Sequence, residues 1–337
     1  MSSTVAVRRV TARVQEAVQQ VMELANWREH LDLAKPVLLK PNLGWDNFLP
    51  GAVTSPSVLE GVIQTLRPHV RDHRVVEADQ VLVRCEKSLR QTGIGRLCAR
   101  YDVPFVNLSH EPMVTVPLGG EVFPEITLPR LLLECNLVTV PVMKTHDKTV
   151  ITGALKNQWG CLDKVRHMYH LVVSRAIVEL NTALRPRFAV LDATVSLEGN
   201  GPKSGRPRIT DLVLASGDLV ALDSVQARLM GFDPEQIEHL VLAAEAGLGA
   251  MDREQIALLG DSIEGVNFAF QPARSNLVSV VERRLRHSRL KKLAFQGPCF
   301  WAACRGALVY YFFWYNLVGR RMRNEVLKHP RYGPQWR

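Results

Sequence analysis

Five short apolar runs, each closing on charged or amide side chains, constrain the fold more than any other feature of this chain. They are Lys35-Pro36-Val37-Leu38-Leu39-Lys40-Pro41-Asn42, Arg74 to Asp79, Leu137 to His146, Arg187 to Asp192, and Leu212 to Asp218. Runs of this length bounded by turn residues predict buried strands rather than helices. Residues 4–10 alternate and predict a first strand, and 103–107 predict another. Between the runs, apolar residues recur at helical spacing over 12–26, from Ser55 and Pro56 to about Arg67, and over 88–101. Ser55 followed by Pro56 has the form of a helix cap with proline in the first turn. The resulting order β-α-β-α-β-α-β predicts an α/β fold, a mostly parallel sheet with helices on both faces.

The rest of the chain departs from that rhythm. Residues 114–124 alternate around Gly119-Gly120, a hairpin signal. Leu128-Pro129-Arg130 opens a short helix to Cys135, and residues 165–180, 219–230 and 234–246 predict further helices. Ile256 to Gly260 predicts a last strand. We place an α/β domain over 1–272 and a basic and aromatic C-terminal helical extension over 273–337. In the extension, 283–292 (RRLRHSRLKK) is strongly basic and 300–319 is aromatic and apolar apart from Arg305. The uninterrupted apolar part, 306–319, is shorter than the roughly 20 residues that span a bilayer. An amphipathic helix lying in a membrane surface fits it. So does a helix packed on its own domain or on a second subunit.

The stretch from Val138 to His170 concentrates the charge, with four Lys, one Arg and three His against Asp147 and Asp163. Lys144, Thr145 and His146 close a strand there, and Lys156 and Asn157 follow. Lysine and histidine at a strand end can hold an anion and move protons. A lysine pushed toward neutrality can act as a base. Lys164, Arg166, His167 and His170 suit anion contact or plain helix surface, and the two histidines lack a third metal ligand at fixed spacing. If the sheet is parallel, Asp192, Glu198, Asp218 and Asp223 reach the same edge as Lys144, where they would orient a divalent metal or a cationic group in a charge-matched pocket; Asp218 and Asp223 also suit helix capping. The glycine loop Gly199-Asn200-Gly201 to Gly205 follows Asp192, and its N–H groups can cradle phosphate. Asn42, Asn47, Thr54 and Ser55 can close the pocket from the neighbouring strand end.

Several of these motifs together resemble a known family. Lys40-Pro41-Asn42 with Thr54-Ser55-Pro56, Val140 to His146, Thr152-Gly153-Ala154-Leu155-Lys156-Asn157 with Gly160, Gly199-Asn200-Gly201-Pro202, and Ser216-Gly217-Asp218 to Asp223 resemble the bacterial and archaeal DUF362 family, over roughly residues 35–260. The resemblance implies one α/β domain with a site, and supplies no reaction. Some members carry a ferredoxin-like module with closely spaced cysteines. The six cysteines here are scattered, without C-x-x-C, so an iron–sulfur cluster is not supported.

These readings predict an enzyme for an anionic, carboxylated or phosphorylated small molecule, working by acid–base or redox chemistry with metal assistance left open. Lys144, His146, Lys156 and Asp192 are the expected catalytic groups. Asn42, Thr54, Ser55, Thr145, Asn157, Arg166, His170, Gly199, Asn200 and Gly201 are the expected substrate contacts, and Glu198, Asp218 and Asp223 the metal candidates. The alternatives are a membrane-surface binding protein, acting through 283–323, and an iron–sulfur electron carrier. A net charge of +9 favours anionic partners. No helix-turn-helix, RNP or finger spacing points to nucleic acid. Scattered thiols and an N-terminus without a signal-like apolar core predict a cytoplasmic protein, peripheral on the inner membrane face if the extension binds lipid; a homo-oligomer is left open.

Overall fold

The computed structural model describes residues 3–163, 166–273 and 298–336. Lys164, the side chain of His167 and the basic run 283–292 lie outside the described residues. The strands are β1 (Ser3–Arg9), β2 (Val37–Pro41), β3 (His73–Glu77), β4 (Phe105–Asn107), β5 (Met113–Pro117), β6 (Glu125–Pro129), β7 (Asn136–Val140), β8 (Val142–His146), β9 (Val150–Thr152), β10 (Phe188–Glu198), β11 (Arg206–Ser216) and β12 (Ile256–Gly260). One sheet runs β12-β1-β11-β10-β7-β2-β3-β4, with β8 against β10 and β9. All pairings from β4 to β10 are parallel, as are β1–β12 and β8–β10; β11 is antiparallel to both its neighbours and β9 to β8. β5 and β6 form the separate hairpin expected around Gly119-Gly120.

Strand alternation divides the core between the two faces. Leu38 joins one hydrophobic cluster while Val37 and Leu39 join the other; Ala189 and Leu191 oppose Phe188 and Val190 in the same way. Helices Val173–Leu184, Leu219–Met230 and Glu238–Glu245 cover the first face. Helices Val14–Leu24, Pro56–Leu66 and Ile94–Tyr101 cover the second. β2 is buried on both faces, as a central parallel strand must be, which is why its sequence is a continuous apolar run.

Some expectations are revised. The 88–101 helix is two helices, Cys85–Thr92 and Ile94–Tyr101, broken at Gly93, whose φ of +81° suits glycine. The 165–180 helix begins as a 3-10 turn, Arg166–Val172, before Val173–Leu184. The short helix after Leu128 is a 3-10 turn over Arg130–Leu133. β10 runs eleven residues, so Asp192 lies within a strand and not at its end. The glycine loop turns β10 back into β11, whose antiparallel course carries Asp218 to the sheet edge opposite Lys144.

The C-terminal segment returns to the domain. Helix Arg320–Leu327 and the turn after it bury Tyr332, whose hydroxyl donates to Asp211. Arg331 also pairs with Asp211 at 2.8 Å, Gln335 accepts from the Ser57 N–H at 3.1 Å, and Trp336 packs on Phe48 at 4.5 Å.

Gly61 sets how closely two covering helices approach. A Cβ there would lie 2.6 Å from Val18 Cβ and 3.1 Å from Gln15 Cα. Gly61→Val is expected to destabilise by about 1–3 kcal/mol through overpacking, read as a lower urea midpoint. An unchanged midpoint would show that the helices do not meet there.

Candidate functional site

The strand order reverses at β2, the place where open α/β sheets form a crevice. From β2 the chain steps outward to β3 and β4, then returns to lay β7 on the other side of β2. Ligands of open α/β sheets bind outside the carboxyl ends of strands at such a reversal. Loop 42–55 leaves β2 at this point. The strand β7 continues past Pro141 as β8, and after β9 comes the short helix Ala154–Asn157.

Amide and hydroxyl side chains stitch these segments together. Asn157 Nδ2 donates to the Lys40 carbonyl at 3.0 Å and to Thr139 Oγ1 at 2.7 Å, while its Oδ1 accepts from Asn42 Nδ2 at 3.0 Å. Thr54 Oγ1 donates to the Val140 carbonyl and accepts from the Asn42 N–H, both at 2.7 Å. Lys144 Nζ donates to Asn42 Oδ1 at 2.9 Å and to the Ala52 carbonyl at 2.7 Å. Asp192 accepts from the Ser55 N–H at 2.8 Å and from Thr194 Oγ1 at 2.6 Å. Ser55 occupies the cap position expected of it, but its side chain caps nothing; its hydroxyl is buried without a hydrogen-bond partner among the described residues.

Buried cations gather on this frame. Lys40 is the one with a counter-charge: its Nζ lies 3.0 Å from both Glu77 carboxylate oxygens, with Gly160 packed against the pair. Among the described residues, Lys144, Lys156 and Arg166 have no carboxylate partner, although they are only 2%, 9% and 5% exposed. Burial, then Lys156 and Lys203, push Lys144 down to about 7. Burial and Arg166 push Lys156 to about 8, against the pull of Asp147. Lys203, partly buried, is held at about 8 by burial and Arg166, against the pull of Asp46. Arg166 Nη1 donates to the Leu162 carbonyl at 2.6 Å, while its Nη2 is buried without an acceptor among the described residues. Lys156 and Lys203 act on Lys144, and Arg166 acts on both Lys156 and Lys203, so the four form one cationic cluster.

Histidines border it. Burial, then Lys156 and Lys148, hold His146 well below its usual range. Its Nδ1 lies 3.0 Å from the Lys148 backbone nitrogen and 3.2 Å from Asp147 Oδ1. His170 stacks on Trp159, with ring centroids 6.1 Å apart, and the Lys156 ammonium lies 5.8 Å from the same indole. His239, fully buried, is driven to about 3 by burial and Lys156.

The proposed metal ligands are not assembled. Glu198 pairs with Arg208 at 3.0 Å. Asp218 caps helix Leu219–Met230 through the Ala221 N–H at 2.9 Å and also accepts from the Ala250 N–H at 2.8 Å. Asp223 caps helix Ala154–Asn157, accepting from the Ala154 and Leu155 N–H groups at 2.6 and 2.9 Å. The antiparallel β11 is the reason Asp218 falls away. Among the described residues the one set of three candidate ligand atoms within 4.8 Å is Asp79, Cys85 and Glu86. There Asp79 already holds Arg84 and the Cys85 N–H, and burial pushes the Cys85 thiol far up, away from a metal-binding thiolate.

The glycine loop is also revised. The N–H of Gly199 donates to the Gln271 carbonyl at 2.8 Å and that of Gly201 to the Gly199 carbonyl at 2.7 Å, so these donors do not form a phosphate cradle. The loop instead lies on β8. Thr145 Oγ1 donates to the Gly199 carbonyl at 2.8 Å, and a Cβ on Gly201 would fall 2.0 Å from the Thr145 carbonyl oxygen.

The structure therefore joins Asn42, Thr54, Lys144, Asn157 and Lys156, with Arg166, His146 and His170 beside them, and sets Asp192 to anchoring the loop. It adds Lys40–Glu77, Lys203 and His239. Glu77 was signalled by its place near the end of the second apolar run and Lys203 by its place in the glycine loop; His239, inside a helix, carried no signal.

The chain belongs to the family described as Domain of unknown function (DUF362), whose model matches residues 37–228 and so takes in Lys40 to Lys203 but not His239. It is also similar to the thylakoid-associated protein sll1697 of Synechocystis sp., at 28% identity over 228 residues, 63% of this chain and 68% of that protein. No solved structure matches the chain significantly.

The Lys40–Glu77 pair makes a stability test. Glu77→Gln keeps the shape and leaves a buried ammonium without its counter-charge. It is expected to cost about 3–5 kcal/mol in urea unfolding, and Lys40→Met added to Glu77→Leu should recover much of that loss. A neutral Glu77→Gln would mean the pair is solvated.

Proposed function

We propose that this protein is an enzyme that holds an anionic small molecule, carboxylated or phosphorylated, in the cationic crevice and moves a proton beside the anionic group. The observation that carries this reading is the burial of Lys144, Lys156 and Arg166 without carboxylate partners. Uncompensated buried charge costs several kcal/mol, roughly, per ion, so the fold retains these groups at a loss that an anion would offset. Lys144, held at about 7 in the empty site, exchanges its proton near neutrality, and as the ammonium beside a bound anion it suits a general acid. His146, held neutral by burial and the neighbouring cations, suits proton exchange beside the ligand. Arg166 Nη2 offers a donor that the chain itself leaves unused.

The sign of the pH dependence follows. An anion stabilises the protonated lysines, whose pKa values the empty site depresses. Binding is therefore tightest below pH 7 and weakens as pH rises through about 7 and 8. Sulfate keeps its charge over this range. Its affinity, by calorimetry, is expected to fall at least about tenfold from pH 6 to pH 8.5, and to be lost in Lys144→Ala. A flat profile, or full binding by Lys144→Ala, would remove this reading.

A second reading, peripheral attachment to a membrane surface, is supported by a different observation. Helix Pro298–Trp314 and the turn Tyr315–Gly319 leave Trp301 at 53%, Phe312 at 60%, Phe313 at 56% and Leu317 at 76% exposure. Contiguous exposed apolar side chains of this kind mark interaction surfaces, and Arg320, Arg321 and Arg323 follow in the sequence. Among the described residues no helix is long and apolar enough to cross a membrane, and the similar cyanobacterial protein is named as thylakoid-associated. Trp301→Ser/Phe313→Ser/Leu317→Ser is expected to abolish pelleting with phosphatidylglycerol vesicles while keeping the native circular dichroism spectrum. Pelleting at the original level would contradict attachment through this helix.

A further inference from the structure

Beside the cationic crevice lies a cleft of about 410 Å³ that the anion-binding reading does not use. That volume is within the roughly 300–1,000 Å³ of small-molecule sites. One wall is loop 45–47, with Trp45. The other is helix Pro298–Trp314, with Leu308, Val309, Tyr311 and Phe312. Trp45 fastens the helix here, with its ring 5.6 Å from that of Tyr315 and 6.2 Å from that of Tyr311, and the Tyr315 hydroxyl donates to the Phe48 carbonyl at 2.8 Å.

Lys203 connects the cleft with the crevice. It lines the cleft, and its ammonium lies 5.4 Å from the Tyr311 ring centroid. The loop that carries it rests on β8 through Gly201 and Thr145, the residue after Lys144. Asp46 and Lys87 also line the cleft, but they neutralise one another in an ion pair at 3.1 Å. Lys203 has no carboxylate partner among the described residues. The same helix turns Leu308, Val309 and Phe312 outward, at 46%, 55% and 60% exposure. The cleft thus combines the Lys203 cation, carried on the loop that rests on β8, with an open wall of apolar side chains.

We propose that the ligand is a single-chain anionic amphiphile, its head group held by Lys203 and the crevice cations and its hydrocarbon chain laid against Leu308, Tyr311 and Phe312. This rests on the anion-binding reading and names the substrate class for that site. A carboxylate or a phosphate head fits the cations equally; the cleft supplies the requirement for a tail.

The test uses the full chain and monomeric dodecyl phosphate below its micelle concentration, with inorganic phosphate and dodecanol as partial ligands, followed by calorimetry and Trp fluorescence. Dodecyl phosphate is expected to bind at least about thirtyfold more tightly than inorganic phosphate, since each buried methylene adds to affinity. Leu308→Ser/Phe312→Ser should remove most of that advantage. Lys203→Gln should weaken dodecyl phosphate at least about tenfold and leave dodecanol unaffected, a pattern that simple misfolding would not give. Equal affinity for dodecyl phosphate and inorganic phosphate would overturn the amphiphile and leave the anion site standing. Equal affinity for dodecyl phosphate and dodecanol, with no response to inorganic phosphate, would overturn the anion site and the amphiphile together.

Discussion

The buried side chain of Asn157 ties this architecture together where the strand order reverses. The strand order reverses beside β2, and Asn157 sits over the last paired residues of β2 and β7, Lys40 and Thr139. Asn157 meets the Lys40 carbonyl, Thr139 and Asn42 at once, and Asn42 in turn receives Lys144. A crevice that would otherwise be solvated is thereby lined by side chains in fixed positions. Fixed donors are what recognition of a charged ligand requires, because they need no reorganisation when the ligand arrives.

The cost of that arrangement is electrostatic. Lys40 is balanced by Glu77, and Asp192 and Asp223 are satisfied by backbone N–H groups. Lys144 and Arg166 donate only to neutral oxygens, and neither they nor Lys156 has a carboxylate partner among the described residues; Lys156 lowers the proton affinity of Lys144, and Arg166 that of Lys156. Proteins rarely keep buried cations in that condition for packing alone; apolar residues of the same volume would be more stable. Groups so perturbed in a crevice mark functional sites. Lys203 extends the cluster to the aromatic C-terminal helix.

Much of this was legible in the sequence, for identifiable reasons. Buried parallel strands must be apolar throughout, so β2, β3, β7 and β10 stood out as short runs. The residues that close β2 and β8, Asn42 and Lys144, therefore stood out as site candidates. What failed was the direction of one strand. Nothing in Leu212 to Asp218 distinguishes a parallel from an antiparallel course, and the hairpin at Gly199–Gly205 reverses β11. Asp218 consequently left the site, and with it the acidic metal set. Asp192 was misplaced because β10 continues with Thr194 and Ser196, polar residues that interrupt the apolar run but are buried and hydrogen-bonded. Lys40–Glu77 could not be read as a pair because it joins neighbouring strands 37 residues apart.

The central claim is that Lys144 is a buried ammonium waiting for an anion, and its own titration tests this most directly. Lysine side-chain NMR, assigned with Lys144→Arg, reports the protonation of that amine against pH. The account predicts a midpoint near 7 without ligand and a rise on adding sulfate. A midpoint in the ordinary lysine range, about 10.4, that sulfate does not move would contradict it.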